Sequence, residues 1–139
     1  MNELRRKDAQ GWWALAVEYL RQARRAGQNG SFRLTVDGAY NAAELAVKGL
    51  LILRLERLPT SHDGLIRVFS REYVVTGEVN RMIGHRLSIS LDLQNKARYK
   101  WNTEITAEHV TQVAALAQEL IALLEKTLSL LEQQLEING

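Results

Sequence analysis

The chain has no cysteine in its 139 residues and a single proline, Pro59. Without cysteine there is no disulfide framework and no thiolate metal site, and nothing demands an oxidising compartment. No apolar run approaches the length of a membrane span, since Leu50-Leu51-Ile52-Leu53 is interrupted by Arg54. The opening residues Met1 to Asp8 are charged and lack the apolar core of a signal peptide. Sustained alternation of apolar and polar residues is missing, as are low-complexity tracts and internal repeats. These absences lead to the expectation of a soluble, cytoplasmic, single domain over residues 1–139, with no membrane association, metal or cofactor.

What is there is charge of uneven placement and helical periodicity. The net charge is only +2, but residues 1–102 hold 17 Lys and Arg against 10 Asp and Glu, while residues 103–139 hold Lys126 against six glutamates. Arginine outnumbers lysine 13 to 5. A basic body rich in guanidinium forks suits phosphate or RNA contact, although scattered charge on a solvated helical surface gives the same composition.

The apolar period predicts five helices. The first runs from about Glu3 to Ala26, with Leu4, Trp12, Leu15 or Ala16, Tyr19, Leu20 and Ala23 inward, and stops at Gly27-Gln28-Asn29-Gly30. The second runs from Phe32 to Leu55, where Phe32, Val36, Ala39, Ala43, Ala46, Leu50 and Leu53 recur at alternating steps of four and three. A third spans His62 to Val74, capped by Ser61 or Thr60, with Leu65, Ile66, Phe69 and Tyr73 inward. The fourth runs from Val79 to Tyr99 through Met82, Ile83, Leu87, Ile89, Leu91 and Leu93. The last starts at Thr106 as N-cap and continues to Leu135 on a stripe of Val110, Val113, Ala117, Leu120, Leu124, Leu128, Leu131 and Leu135. Short loops then imply an all-α, antiparallel up-and-down bundle of four to five helices.

The second helix carries the most information. Ala39 to Leu51 is apolar on two faces and very small in the middle, so another backbone can come close and the helix belongs at the centre. Glu44 and Lys48 stand i,i+4 with the acid first, the spacing of an intrahelical ion pair with its stems packed at the seam. Trp12 and Trp13 point about 100° apart on the first helix, so one is expected in the core and the other at an interface. The leucines from Leu124 to Leu135 extend beyond what a compact core needs and fit either a dimer arm or packing on the first helix.

These residues resemble a family. Ala39-Tyr40-x-Ala42, followed by Ala42-Ala43-Glu44-x-Ala46-x-Lys48-x-Leu50-Leu51, is similar to the second long helix of HEPN domains, small helical domains of prokaryotic toxin and defence systems. The Thr60-Ser61-His62 turn, the segment Val68 to Gly77, and Ala97-Arg98-Tyr99 before Ile105-Thr106 follow in the order of that family, over about residues 10–130. The resemblance implies a homodimer, often paired with a small nucleotidyltransferase antitoxin that can modify a motif tyrosine, for which the matching position is Tyr99. It also implies, in many members, a metal-independent endoribonuclease built on an arginine and a histidine four to six residues apart.

The chemistry of that motif is altered here. Where the resembled branch has its arginine the chain has Gln94, and where it has aspartate the chain has Arg98; Tyr99 is kept. Cleavage without metal needs a base for the ribose hydroxyl, an acid for the leaving oxygen and cations for the phosphorane charge. Lys96, Arg98 and Lys100 supply cations, but tyrosine is a poor base at neutral pH. Arg81, His85 and Arg86 make a second basic stretch on the same helix, suited to RNA contact or to simple solvation. Arg57 and His62 have the formal spacing, yet they straddle the Pro59 loop, and 13 arginines with three histidines make about one such match expected by chance. The expected function is a HEPN protein of a toxin–antitoxin or defence module that contacts RNA or nucleotide with a degenerate ribonuclease motif. The alternatives are an active endoribonuclease using Lys96, Arg98, Tyr99 and His85 across a dimer, or a dimeric helical adaptor with no nucleic-acid role.

Overall fold

Small side chains decide which helix lies at the centre. The computed structural model describes residues 3–138. Its helices are α1 (Glu3–Gln28), α2 (Phe32–Ile52), α3 (His62–Phe69), α4 (Arg81–Tyr99) and α5 (Ala107–Asn138), and the described residues contain no strand. Along α2 the seam residues Val36, Ala39, Ala43, Ala46 and Leu50 are buried, and so are Tyr40, Ala42, Val47 and Leu51 on its flanks. A helix apolar nearly all round is a buried helix, and α2 packs against α1, α3, α4 and α5. Neighbours press in on its glycines: at Gly38 the α1 backbone at Ala23 comes close, and at Gly49 a Cβ would overlap Leu124 Cδ2 of α5.

The contacts run in opposite directions along the pairs α1–α5, α2–α4 and α4–α5. Arg24 of α1 bonds Gln118 of α5, while Glu3 and Arg6 lie with Gln134. Arg33 of α2 reaches Ala97 of α4, and Asn41 reaches Gln94. Arg86 pairs with Glu119, and Ser90 lies with Gln112. The result is an up-and-down bundle in which α1 and α4 run one way and α2 and α5 the other. At the α1–α2 turn Gly30 takes φ of 79° and Ser31 N donates to Ala26 O at 2.9 Å, the six-to-one closure that favours glycine.

Several expected boundaries and faces shift for identifiable reasons. The second helix stops at Ile52 rather than Leu55, because the freed Leu50 carbonyl is taken by the Tyr73 hydroxyl at 2.6 Å and Arg54 leaves the helix to bond Glu78. The expected helix from His62 to Val74 is an α-helix only to Phe69. It continues as one π turn, Ser70–Val74, closed by Val75 N donating to Ser70 O at 2.8 Å. The extra residue lets Tyr73 stack on Phe69, with centroids 5.3 Å apart, while reaching Leu50. The fourth helix starts at Arg81, not Val79, because Asn80 Oδ1 accepts from Met82 N at 2.8 Å and so caps it. Ser61 is the cap of α3, its hydroxyl accepting from Gly64 N at 2.9 Å.

On α1 the expected Ala16, Leu20 and Ala23 are buried together with Ala9, while Leu4, Tyr19 and the alternative Leu15 are exposed, so the inner face is shifted toward the alanines. Both tryptophans are half-buried, which replaces the expected division into one core and one interface ring. Met82 and Ile89, seven residues apart, face away from α2 and are exposed beside α5. Leu128 is buried and Leu135 exposed, so the stripe of α5 outruns the core in its last two turns.

Candidate functional site

The tip of α4 is built by a partner helix. Polar residues Arg33, Asp37 and Asn41 stand at i, i+4 and i+8 on α2, a single stripe facing α4. Arg33 sends its guanidinium into the end of α4, donating to the carbonyls of Lys96 at 3.2 Å and Ala97 at 3.0 Å, and to those of Lys100 at 3.1 Å, Trp101 at 3.2 Å and Thr103. The last carbonyls of a helix lack intrahelical donors and carry its negative pole, so a cation there satisfies both needs. This fixes the segment that presents Tyr99 and Trp101, which are 70% and 89% exposed.

One turn on, Gln94 is 1% exposed, and its amide nitrogen donates to Asp37 Oδ1 at 2.8 Å, Asn41 Oδ1 at 2.9 Å and the Asp37 carbonyl at 3.3 Å. The side chain at the position expected for a catalytic arginine is therefore a buried strut between α4 and α2. Arg98 Nε lies 3.7 Å from Asp37 Oδ1 and its guanidinium carbon is 5.6 Å from the Tyr99 ring. Lys96 pairs with Asp92 at 3.0 Å. Lys100 is exposed and forms no ion pair among the described residues. The tip thus offers one free and two shared cations beside two open aromatic faces, an arrangement able to hold a phosphate and stack a base.

The remaining sequence candidates are elsewhere. Arg81, His85 and Arg86 occupy the other half of α4, and fourteen residues of helix between His85 and Tyr99 place them about 21 Å apart along the axis. Arg86 is tied to Glu119. His109 sits at the start of α5, where its Nδ1 accepts from Thr106 N at 3.1 Å and Thr106 Oγ1 accepts from His109 N at 3.3 Å. Within one chain no histidine belongs to the α4 tip among the described residues. Glu44 does not pair with Lys48: its Oε2 lies 2.5 Å from His62 Nδ1, and Lys48 Nζ instead sits 5.3 Å above the Trp12 ring. The reason is tertiary, since α3 starts at His62 directly over Glu44, which is only 8% exposed. Burial, and then the nearby Glu44 carboxylate, hold the Tyr40 hydroxyl far above the ordinary phenol range.

Sequence reasoning missed Arg33, Asp37, Asn41 and Trp101. The first three carry a signal, a polar stripe at helical spacing along an otherwise apolar helix, while Trp101 lies in a loop with no period to read. No cluster of three or more His, Cys, Asp or Glu residues able to hold a metal occurs among the described residues. No helix there is long and apolar enough to cross a membrane. Among known proteins, a family model described as the HEPN domain matches residues 9–127. No curated protein matches the sequence.

Proposed function

The chain belongs to the HEPN family, and from that premise we propose that it is the HEPN member of a toxin–antitoxin or defence module which grips RNA or nucleotide phosphate at the α4 tip without cleaving it. The observation that carries this reading is the pairing of exposed Tyr99 and Trp101 with Arg98 and Lys100, in a cluster whose buried neighbour is Gln94 rather than an arginine. Cations and open rings support binding. Cleavage would also need a proton acceptor free to reach the ribose; the α4 tip offers the Tyr99 phenol, a poor base, and the carboxylates of Asp37 and Asp92, which are already engaged by Gln94 and Arg98 and by Lys96.

The working unit we infer is a homodimer. Met82 and Ile89 are exposed on the wall of a groove of about 610 Å³ between α4 and α5, and large apolar side chains are expected to be covered in such an assembly. A nucleotidyltransferase antitoxin is the partner we would seek first, with Tyr99 open to modification by it.

The test uses labelled single-stranded RNA in EDTA. Retention without cleavage is expected, weakened about tenfold by Arg98→Ala and by Trp101→Ala, and more strongly as salt rises. Cleavage by the wild type that disappears in Arg98→Ala would overturn the non-cleaving reading. Equal retention by all three proteins would overturn the α4 tip as the contact. Sedimentation of a strict monomer would remove the dimer.

A further inference from the structure

A different set of arginines lines a cleft that the α4 tip does not use. Between α1 and α5 there is a cavity of about 390 Å³ walled by Arg21, Arg24, Arg25 and Gln118, with Val17, Leu20 and Ile121 along its floor. Its volume falls in the range of small-ligand sites, roughly 300–1,000 Å³. No aspartate or glutamate lines it. Arg24 Nη1 donates to the neutral Gln118 Oε1 at 3.2 Å, and none of the three arginines forms an ion pair among the described residues.

A bundle end can explain some cations by itself. Arg25 lies in the last turn of α1, where the helix dipole favours positive charge. That effect fades beyond one turn, so it does not account for Arg21 and Arg24. Elsewhere several arginines stand beside a carboxylate, as Arg54 does with Glu78, Arg86 with Glu119, Arg98 with Asp37 and Arg5 with Glu56, and those that do not, Arg57 and Arg67 among them, are scattered and share no cleft with other arginines among the described residues. Three guanidinium groups turned to one cleft repel one another until an anion enters. Guanidinium forks match phosphate oxygens in pairs. The three forks stem from positions spread over about 6 Å of the helix axis, a span that linked phosphates match better than a single one.

We propose that the α1–α5 cleft is a binding site for an oligophosphate group, held by Arg21, Arg24 and Arg25 above an apolar floor that can lie against an attached organic moiety. The site stands apart from the α4 tip and does not depend on RNA contact there. The oligophosphate has two sources, free inorganic tripolyphosphate or the phosphate chain of a nucleoside triphosphate, and the apolar floor matters only for the second.

The experiment is calorimetric titration of the full chain with sodium tripolyphosphate, ATP, orthophosphate and a short poly-glutamate peptide, followed by amide and Arg Nε NMR shifts. One bound tripolyphosphate per chain is expected, about tenfold tighter than orthophosphate, with shifts centred on Arg21, Arg24, Arg25 and the Gln118 amide. Gln118→Glu places a carboxylate among the arginines, so it should abolish binding while the melting temperature holds or rises. Arg21→Gln with Arg25→Gln should weaken binding about tenfold or more, and Arg57→Gln with Arg67→Gln, also exposed, should not. ATP binding tighter than tripolyphosphate, lost in Ile121→Ser, identifies the nucleotide as the source; equal affinity identifies the inorganic chain. Unchanged affinity in Gln118→Glu overturns the proposal, as do shifts centred on Arg98 and Lys100. Poly-glutamate binding as tightly as tripolyphosphate overturns the phosphate assignment.

Discussion

Replacing Arg33 by Met should loosen one end of the bundle without disturbing its core. The methionine keeps a long, unbranched, helix-favouring stem and removes the fork that bonds the carbonyls of residues 96, 97, 100, 101 and 103. Five acceptors share few donors and the outer ones face water, so the loss is far below five full bonds. A charged hydrogen bond contributes a net of about 1.5–3 kcal/mol when shielded, and the cation at the helix end about 0.5 kcal/mol more. About 3 kcal/mol is the expected cost, which at this chain length lowers the melting temperature by about 10 °C. Arg33→Lys should recover part of this, since an ammonium keeps the charge but cannot span the ring of carbonyls. Calorimetry gives the global loss, and amide exchange shows where it arises. The Lys100 and Thr103 amides, bonded to Lys96 O at 3.0 Å and Lys100 O at 3.1 Å, should lose protection first. RNA retention should fall with them, because Tyr99 and Trp101 lose their platform. A melting temperature within about 2 °C of wild type, with protection at Lys100 and Thr103 intact, would refute the view that Arg33 holds the tip.

Three further substitutions test other joints. Tyr73→Phe strips the donor from the buried Leu50 carbonyl and should cost about 1–3 kcal/mol by urea unfolding, with the unfolding slope unchanged. Gly49→Ala gains about 1 kcal/mol of helix propensity but drives its methyl into Leu124, an overpacking cost of about 1–3 kcal/mol. Combined with Leu124→Ala it should be less destabilising than the sum of the two single changes, and strict additivity would disprove the clash. The Arg54 fork, at 2.6 and 2.7 Å, and then the Thr76 hydroxyl at 2.8 Å hold the Glu78 carboxyl down at about 2 from an ordinary 4.5. A depressed carboxyl stabilises the fold above its unfolded value and loses that contribution as pH falls through the folded one. The wild type should therefore lose more stability between pH 4.5 and 2 than Glu78→Gln, as read from melting temperatures across that window.

The helices were legible because their signals are local. A four–three spacing of apolar residues on α2, a glycine turn after α1, and Ser61 three residues before Gly64 can each be read without knowing what they touch. The π turn was not legible, since Ser70 to Val74 reads as ordinary helix until Tyr73 must reach both Phe69 and Leu50. The edge of the inner face of α1 was hidden for a related reason. Its alanines are buried only because α2 comes close, and period alone ranks Leu15 and Tyr19 above Ala9.

The family, the central helix and the basic character of the α4 end were determined by the sequence, because order, period and composition survive without coordinates. Partner choice was decided only by tertiary structure. Glu44 has Lys48 at helical spacing, yet it takes His62, which α3 brings from across a loop. Gln94 looks like a lost arginine until Asp37 and Asn41 close around its amide. Arg33 looks like an ordinary surface charge until the end of α4 arrives above it. In each case the decisive atom lies on another helix, and polar side chains commit to whichever partner removes them from water at the lowest cost.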